Sequence, residues 1–293
     1  MLIRTPVGEA GAGPYAVAVD AAGDAWVTLV HSGQVARLPS DGPAELHDLG
    51  NPASRPSLLA VGPDGAVWVT RGGDDRIDRL GGAGRSFPVS GGPFGIAVAP
   101  DGAVWFTATG ADAVGRLAPD GEVALTPVPG DSGMPAMVTA GPDGAMWFTL
   151  NRGAALGRVD ASGEITVHPL PDPGCGPVGI AADRDALWFA EIGAGRVGRL
   201  VPGEPLQEFD LPDRGARPHA VAPDGEGGCW VTLWAASALA HLDVDGAVTA
   251  VHDLGAGSEP HGVAVAPDGA VLVALESGEV VTVRGKGIHR ACE

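Results

Sequence analysis

The sequence is poor in positive charge. Its 293 residues hold 18 Lys and Arg against 36 Asp and Glu, a formal net charge of −18, and lysine occurs once, at Lys286. Phosphate-rich partners would be repelled over most of such a surface, which argues against nucleic acid and anionic membrane. Cysteine is scarce and odd in number. Cys175, Cys229 and Cys292 lie far apart with no Cys-x-x-Cys spacing, so neither a zinc knuckle nor a disulfide framework is expected. No stretch approaches the roughly 18 apolar residues of a membrane-spanning helix, and residues 1–9 lack the apolar run of a secretory signal. The default expectation is a soluble, cytoplasmic protein. Long helices are excluded by 47 Gly and 26 Pro, a quarter of the chain. The chain is nonetheless 45% apolar, too much for disorder and enough for a sizeable core. Short strands joined by turns are what remains.

Length alone suggests one or two domains, but an internal repeat overrides it. A tryptophan preceded by Ala-Val, Ala-Met or a close variant recurs at Trp26, Trp68, Trp105, Trp147, Trp188 and Trp230, with Leu272 in the seventh copy. The period is about 42 residues. Within a copy, a proline opens a run such as Phe94-Gly-Ile-Ala-Val98, and a Pro-Asp-Gly turn leads into Ala-Val-Trp-Phe-Thr. A third run such as Ala113-Val-Gly-Arg-Leu117 and a second Asp-Gly turn lead into a fourth. The Asp-Gly pairs supply the positive φ that tight hairpins need, and β-branched and aromatic residues fill the runs between them. Recurrence at hairpins favours turn chemistry over calcium loops for these pairs. Four short antiparallel strands at this period describe a propeller blade; helical solenoid repeats would not tolerate so much Gly and Pro. The expected fold is all-β, a seven-bladed β-propeller over residues 1–293. The seventh copy supplies only three strands, at 263–266, 271–275 and 280–283. Residues 2–7 are expected to add the fourth and close the ring, which removes the open edge. The tail after Lys286 is expected to be frayed.

Positions that hold the fold recur, so positions that break the pattern are candidates for function. The residue after the blade-opening proline reads Tyr15, Ser57, Phe94, Ala136, Val178, His219, His261. Such positions ring one end of the central channel, so two imidazoles and the sole tyrosine face a common space. The residue before that proline is a carboxylate only at Glu259, and the fourth residue past the tryptophan position is one only at Glu276. Blades six, seven and one thus gather Tyr15, His219, Glu259, His261 and Glu276. His31, His47, His168, His241, His252 and His289 fall in turns or outer strands and read as structural or solvated. Trp234 breaks its column and reads equally as pocket wall or packing.

Two carboxylates at a channel mouth suit a hard divalent cation, Mg²⁺ rather than zinc. A nearby histidine, with an ordinary pKa of ~6.5, can serve as general base. Such a set could remove a proton α to a carbonyl or activate water on an ester, and the residue types leave both open.

The chain resembles the virginiamycin B lyase family from end to end. The resemblance rests on Gly-Pro-Tyr15, on Gly176-Pro-Val-Gly-Ile180 with Leu187-Trp-Phe-Ala-Glu191, on Ala216-Arg-Pro-His219-Ala, and on Glu259-Pro-His261-Gly. Leu272 and the segment Leu275-Glu276-Ser277-Gly278 depart from the family pattern, and Ser57-Leu-Leu-Ala lacks the usual Gly-Ile. Members linearise type B streptogramins, cyclic depsipeptide antibiotics, without adding water. The threonyl α-proton is removed and the ester carboxylate leaves from the β-carbon. The resemblance implies a carbon–oxygen lyase for antibiotic inactivation, with His261 as base, Glu259 and Glu276 as Mg²⁺ ligands, His219 contacting substrate and Tyr15 lining the pocket. A monomer acting on a small molecule is expected. The rival expectations are a metal-dependent propeller lactonase or esterase, and a non-catalytic binding propeller of the NHL type.

Overall fold

A computed structural model describes residues 1–82, 84–130 and 133–284. Lys286, His289 and Cys292, with the tail expected to fray, lie outside the described residues.

The described chain forms seven four-stranded antiparallel sheets, six of them from consecutive strands running inner to outer. The inner strands contact one another in ring order, and that of blade seven, Pro260–Val265, meets that of blade one, Pro14–Val19. Leu2–Pro6 pairs with Glu279–Val283 in the register Leu2↔Val283 to Pro6↔Glu279. Blade seven therefore receives its outer strand from the N-terminus, as the repeat pattern requires. Arg4 fastens the seam with an ion pair to Glu279 at 2.7 Å and a bond to the Leu254 carbonyl at 2.6 Å. A single turn of 3₁₀ helix, Thr109–Ala111, is the only helix among the described residues.

Hydrophobic cores lie between neighbouring blades. Ala220, Ala222 and Trp230 of blade six pack on Val263, Val273 and Leu275 of blade seven, and equivalent layers recur around the ring. Six of the seven repeats place a tryptophan on the second strand, and Trp105, Trp147, Trp188 and Trp230 are buried in these cores. Trp26 is cross-strand from Arg37, whose guanidinium stacks 5.7 Å from the indole while pairing with Asp24.

Two repeat features aim the channel-facing residues. First, every inner strand carries a register shift just after its opening proline: Pro14 pairs with Leu29 but Val17 with Val27, so Tyr15 and Ala16 face one residue, Thr28. The same shift falls at His219 and His261. Such a bulge turns a side chain out of strict alternation. Second, the threonine of the Trp-x-Thr motif binds that bulge and the next blade together. Thr232 Oγ1 accepts from the Ala220 N–H at 2.9 Å and donates to the His261 carbonyl at 2.8 Å. Thr28, Thr70, Thr107 and Thr149 repeat the arrangement, whereas Ala190 and Ala274 stand at that position in blades five and seven. At those two seams the inner strands pass close at a glycine, as they also do at Gly95 of blade three, which keeps its threonine. A Cβ on Gly179 would lie 2.3 Å from the His219 carbonyl oxygen, and one on Gly262 would lie 2.8 Å from that of Tyr15.

Candidate functional site at the mouth of the ring

Tyr15, His219 and His261 start three neighbouring inner strands and meet as side chains. The Tyr15 and His261 rings lie 4.5 Å apart between centroids, His219 and His261 4.7 Å, and Tyr15 and His219 6.0 Å. Trp234 completes a wall 6.5 Å from His261, with Arg217 stacked over its outer face at 5.9 Å. Phe94 reaches Tyr15 from blade three at 6.4 Å.

Burial sets the protonation states. His219 is 7% exposed; its pKa is pushed down to about 3 by burial and then by the neighbouring His261, against an opposing bond with the His261 backbone. Burial likewise pushes His261 down to about 4. Both imidazoles are neutral at pH 7. Burial, and secondarily the charge of Glu276, drives the Tyr15 phenol well above its ordinary range, so it keeps its proton.

Glu276 is the hub. Its Oε2 lies 2.6 Å from His261 Nε2, and its Oε1 lies 2.9 Å from His31 Nε2. Glu259 is joined to it through the backbone, the Glu276 N–H donating to the Glu259 carbonyl at 3.1 Å. That bond is a repeat feature, found also between Val30 and Gly13 and between Trp234 and Arg217. The residue before the proline adopts positive φ in all seven blades, 49° at Glu259. The Glu259 side chain is exposed and takes no hydrogen bond from any described residue. The five residues picked out by broken repeats therefore lie on three consecutive blades; Tyr15, His219, His261 and Glu276 cluster by side chain and Glu259 joins by main chain.

His31 departs from its sequence reading. It is half exposed, as a turn residue should be, yet its ring ends on Glu276 rather than in solvent. The signal was one column away. Five residues past the tryptophan position the copies read His31, Gly73, Gly110, Arg152, Gly193, Ala235, Ser277, with one imidazole among small residues and one arginine. The other described histidines outside the cluster pack against the repeat tryptophans: His47 on Trp26, His168 on Trp147, His241 and His252 on Trp230.

Chemically, the mouth offers a neutral buried imidazole held by a carboxylate, a second neutral imidazole, a protonated phenol and one free carboxylate. Each of His219 and His261 has a buried Nδ1 without a hydrogen-bond partner among the described residues. No group of three or more His, Cys, Asp or Glu among those residues is arranged to hold a metal by itself.

Residues 1–283 match the virginiamycin B lyase family. The virginiamycin B lyase of Nocardia farcinica is 41% identical over 216 residues, 73% of this chain and 76% of that protein. A streptogramin B lyase structure superposes with a TM-score of 0.92 at 30% identity, covering 96% of each chain. A catalytically inactive histidine-to-alanine variant of the Staphylococcus aureus virginiamycin B lyase, solved with quinupristin, superposes at 0.91 with 29% identity, covering 96% of this chain and 98% of that one.

Proposed function

The chain belongs to the virginiamycin B lyase family, and from that premise we propose that it linearises type B streptogramins by β-elimination at their threonyl ester. The observation that carries this reading is the Glu276–His261 pair at 2.6 Å, set beside a second neutral imidazole at the mouth of the ring. The cluster draws all its described side chains from one chain, which fits a monomer acting on a small molecule.

The reaction breaks the threonyl Cα–H bond, forms a carbon–carbon double bond from its electron pair, and expels the carboxylate from Cβ. No water is consumed. His261 takes the proton, and its neutral resting state leaves a lone pair to do so. Two bare lone pairs do not approach to 2.6 Å, so one proton lies between Nε2 and the Glu276 carboxylate. With that proton on Nε2, the lone pair that accepts the Cα proton is on Nδ1, which has no partner among the described residues, while Glu276 keeps its hold on Nε2. Glu276 then stabilises the imidazolium that forms, as a carboxylate does for other catalytic histidines. His219 faces the substrate as a neutral donor or acceptor, and Tyr15, kept protonated, donates. The S. aureus relative is inactive as a histidine-to-alanine variant, in keeping with a histidine base.

Mg²⁺ fits the donor set. Glu259 offers a carboxylate free of other described partners, and Glu276 stands one backbone bond away; hard oxygens in small number suit a cation that keeps much of its water. Glu259 and Glu276 would hold it, and the chemistry it supplies when bound is Lewis-acid stabilisation of charge on the substrate's carbonyl oxygen.

The test is incubation with a streptogramin B antibiotic before EDTA, after EDTA, and with Mg²⁺ restored, followed by product mass. The expected product is isomeric with the antibiotic, lost with EDTA and regained with Mg²⁺. A product heavier by one water identifies a lactonase and overturns the reading; an untouched antibiotic leaves a binding propeller.

A further inference from the structure

We propose that His31 is a positioning residue, clamping Glu276 from the first blade so that the carboxylate holds His261 in its working orientation. The proposal deepens the lyase reading and rests on it for the meaning of "working".

A carboxylate with one partner is free to rotate about its own axis. Glu276 has a partner on each oxygen, from opposite sides of the seam where the ring closes: His261 on Oε2 within its own blade, and His31 on Oε1 from blade one. Two donors on two oxygens fix the carboxylate plane, and through it the His261 ring. A group that orients a functional side chain in this way commonly changes activity or affinity by about 10–100-fold when removed.

Blade one is shaped for this contact. The His31 N–H donates to the Ala12 carbonyl at 3.0 Å, which pins its backbone to the loop before the inner strand. Its ring lies over Gly13: a Cβ there would stand 2.0 Å from Cδ2 and 2.8 Å from Nε2. The equivalent residue is Arg55, Met134, Arg217 or Glu259 in four other blades, all at the same positive φ. In blades three and five it is glycine, but the residue facing it is glycine too, Gly110 and Gly193. Only blade one pairs the missing Cβ with a ring that fills the space.

Three variants test the clamp. His31→Ala removes the donor, Gly13→Ala leaves it but drives the ring away, and His31→Gln restores an N–H of similar reach. Steady-state kinetics on a streptogramin B are read beside the His261 ring-nitrogen resonances in ¹H–¹⁵N spectra of the full chain without metal. The Ala variants should lower kcat by about 10–100-fold with KM within about threefold, and Gln should recover most of that loss. The His261 signals should move in both Ala variants and stay near wild type in the Gln variant. Unmoved His261 signals in His31→Ala, or kcat within about twofold of wild type, overturn the proposal. If the wild-type protein leaves the antibiotic intact, the lyase reading fails, and the spectra still decide whether His31 holds Glu276 and His261.

Discussion

Blades six, seven and one place His219, His261 and Tyr15 after the opening proline, whereas blades two to five place Ser57, Phe94, Ala136 and Val178 there. The backbone is the same in both arcs: the same bulge, the same positive φ before the proline. What differs is the side chain that the bulge aims at the axis. In the first arc the aimed groups are neutral imidazoles and a phenol gathered around Glu276; in the second they are small or apolar. The contrast separates two jobs that one repeat performs. Propeller geometry delivers seven equivalent positions, and chemistry is assigned to a few of them by substitution alone.

The sharpest way to break this comparison is to remove matching side chains in the two arcs. His261→Ala should lower kcat by about 10²–10⁴-fold, the contribution of a general base, while Val178→Ala at the equivalent position changes it less than about threefold. Comparable losses at both positions would mean that the whole channel, and not one arc, carries the chemistry.

The arcs should also respond oppositely to pH. The unfolded chain binds protons on histidine near the ordinary 6.5, whereas folded His219 and His261 resist protonation down to about 3 and about 4. Acid therefore favours the unfolded state. Stability present above pH 6.5 should be lost as pH falls through this window, by on the order of a few kcal/mol. His219→Phe should flatten the fall in urea-midpoint measurements, and an unchanged slope would contradict the assignment.

Blade five holds the counterpart. Glu191 is fully buried and occupies the column that holds Leu29, Leu150, Leu233 and Leu275 in other blades. Burial first, then the charge of Glu208, pushes its carboxyl up to about 8, against the attraction of Arg196; Asp172 adds to the rise. Its unfolded counterpart ionises near 4.5, so this contribution is full below that pH and declines as pH climbs toward 8. Glu191→Gln should raise the melting temperature at pH 8 more than at pH 5, and an equal change at both would refute the buried neutral carboxyl. Blade two solves the same column with the opposite charge: Arg71 pairs with Asp78 at 2.7 Å and with Asp74.

The smallest effect concerns the threonine tethers. Thr232→Val and Thr149→Val each break the hydrogen bonds of a buried hydroxyl and should each cost about 1–3 kcal/mol in denaturant titrations. Only Thr232→Val releases the His261 carbonyl, so only it should also lower kcat, by several-fold. Equal kinetics in the two variants would show that the tether acts on stability alone.

Much of this was legible in the sequence because a repeat protein carries its own comparison. Trp26 to Trp230, with Leu272, counted the blades, and the short seventh copy together with residues 2–7 announced the closure. Broken columns picked out Tyr15, His219, Glu259, His261 and Glu276. What stayed hidden was contact between columns. His31 meets Glu276 because Gly13 has no Cβ, and Glu191 meets Glu208 across two strands of blade five; neither encounter has a periodic signature. The bulge was also invisible, since alternation of apolar residues says nothing about where a strand takes an extra residue.

The central claim is that the threonyl Cα proton leaves the substrate. A streptogramin B deuterated at that carbon tests it in one mass spectrum. Elimination requires an opened product that has lost the deuteron and gained no water. An opened product that keeps the label and carries an added water would contradict the account, however well the fold and the cluster agree with it.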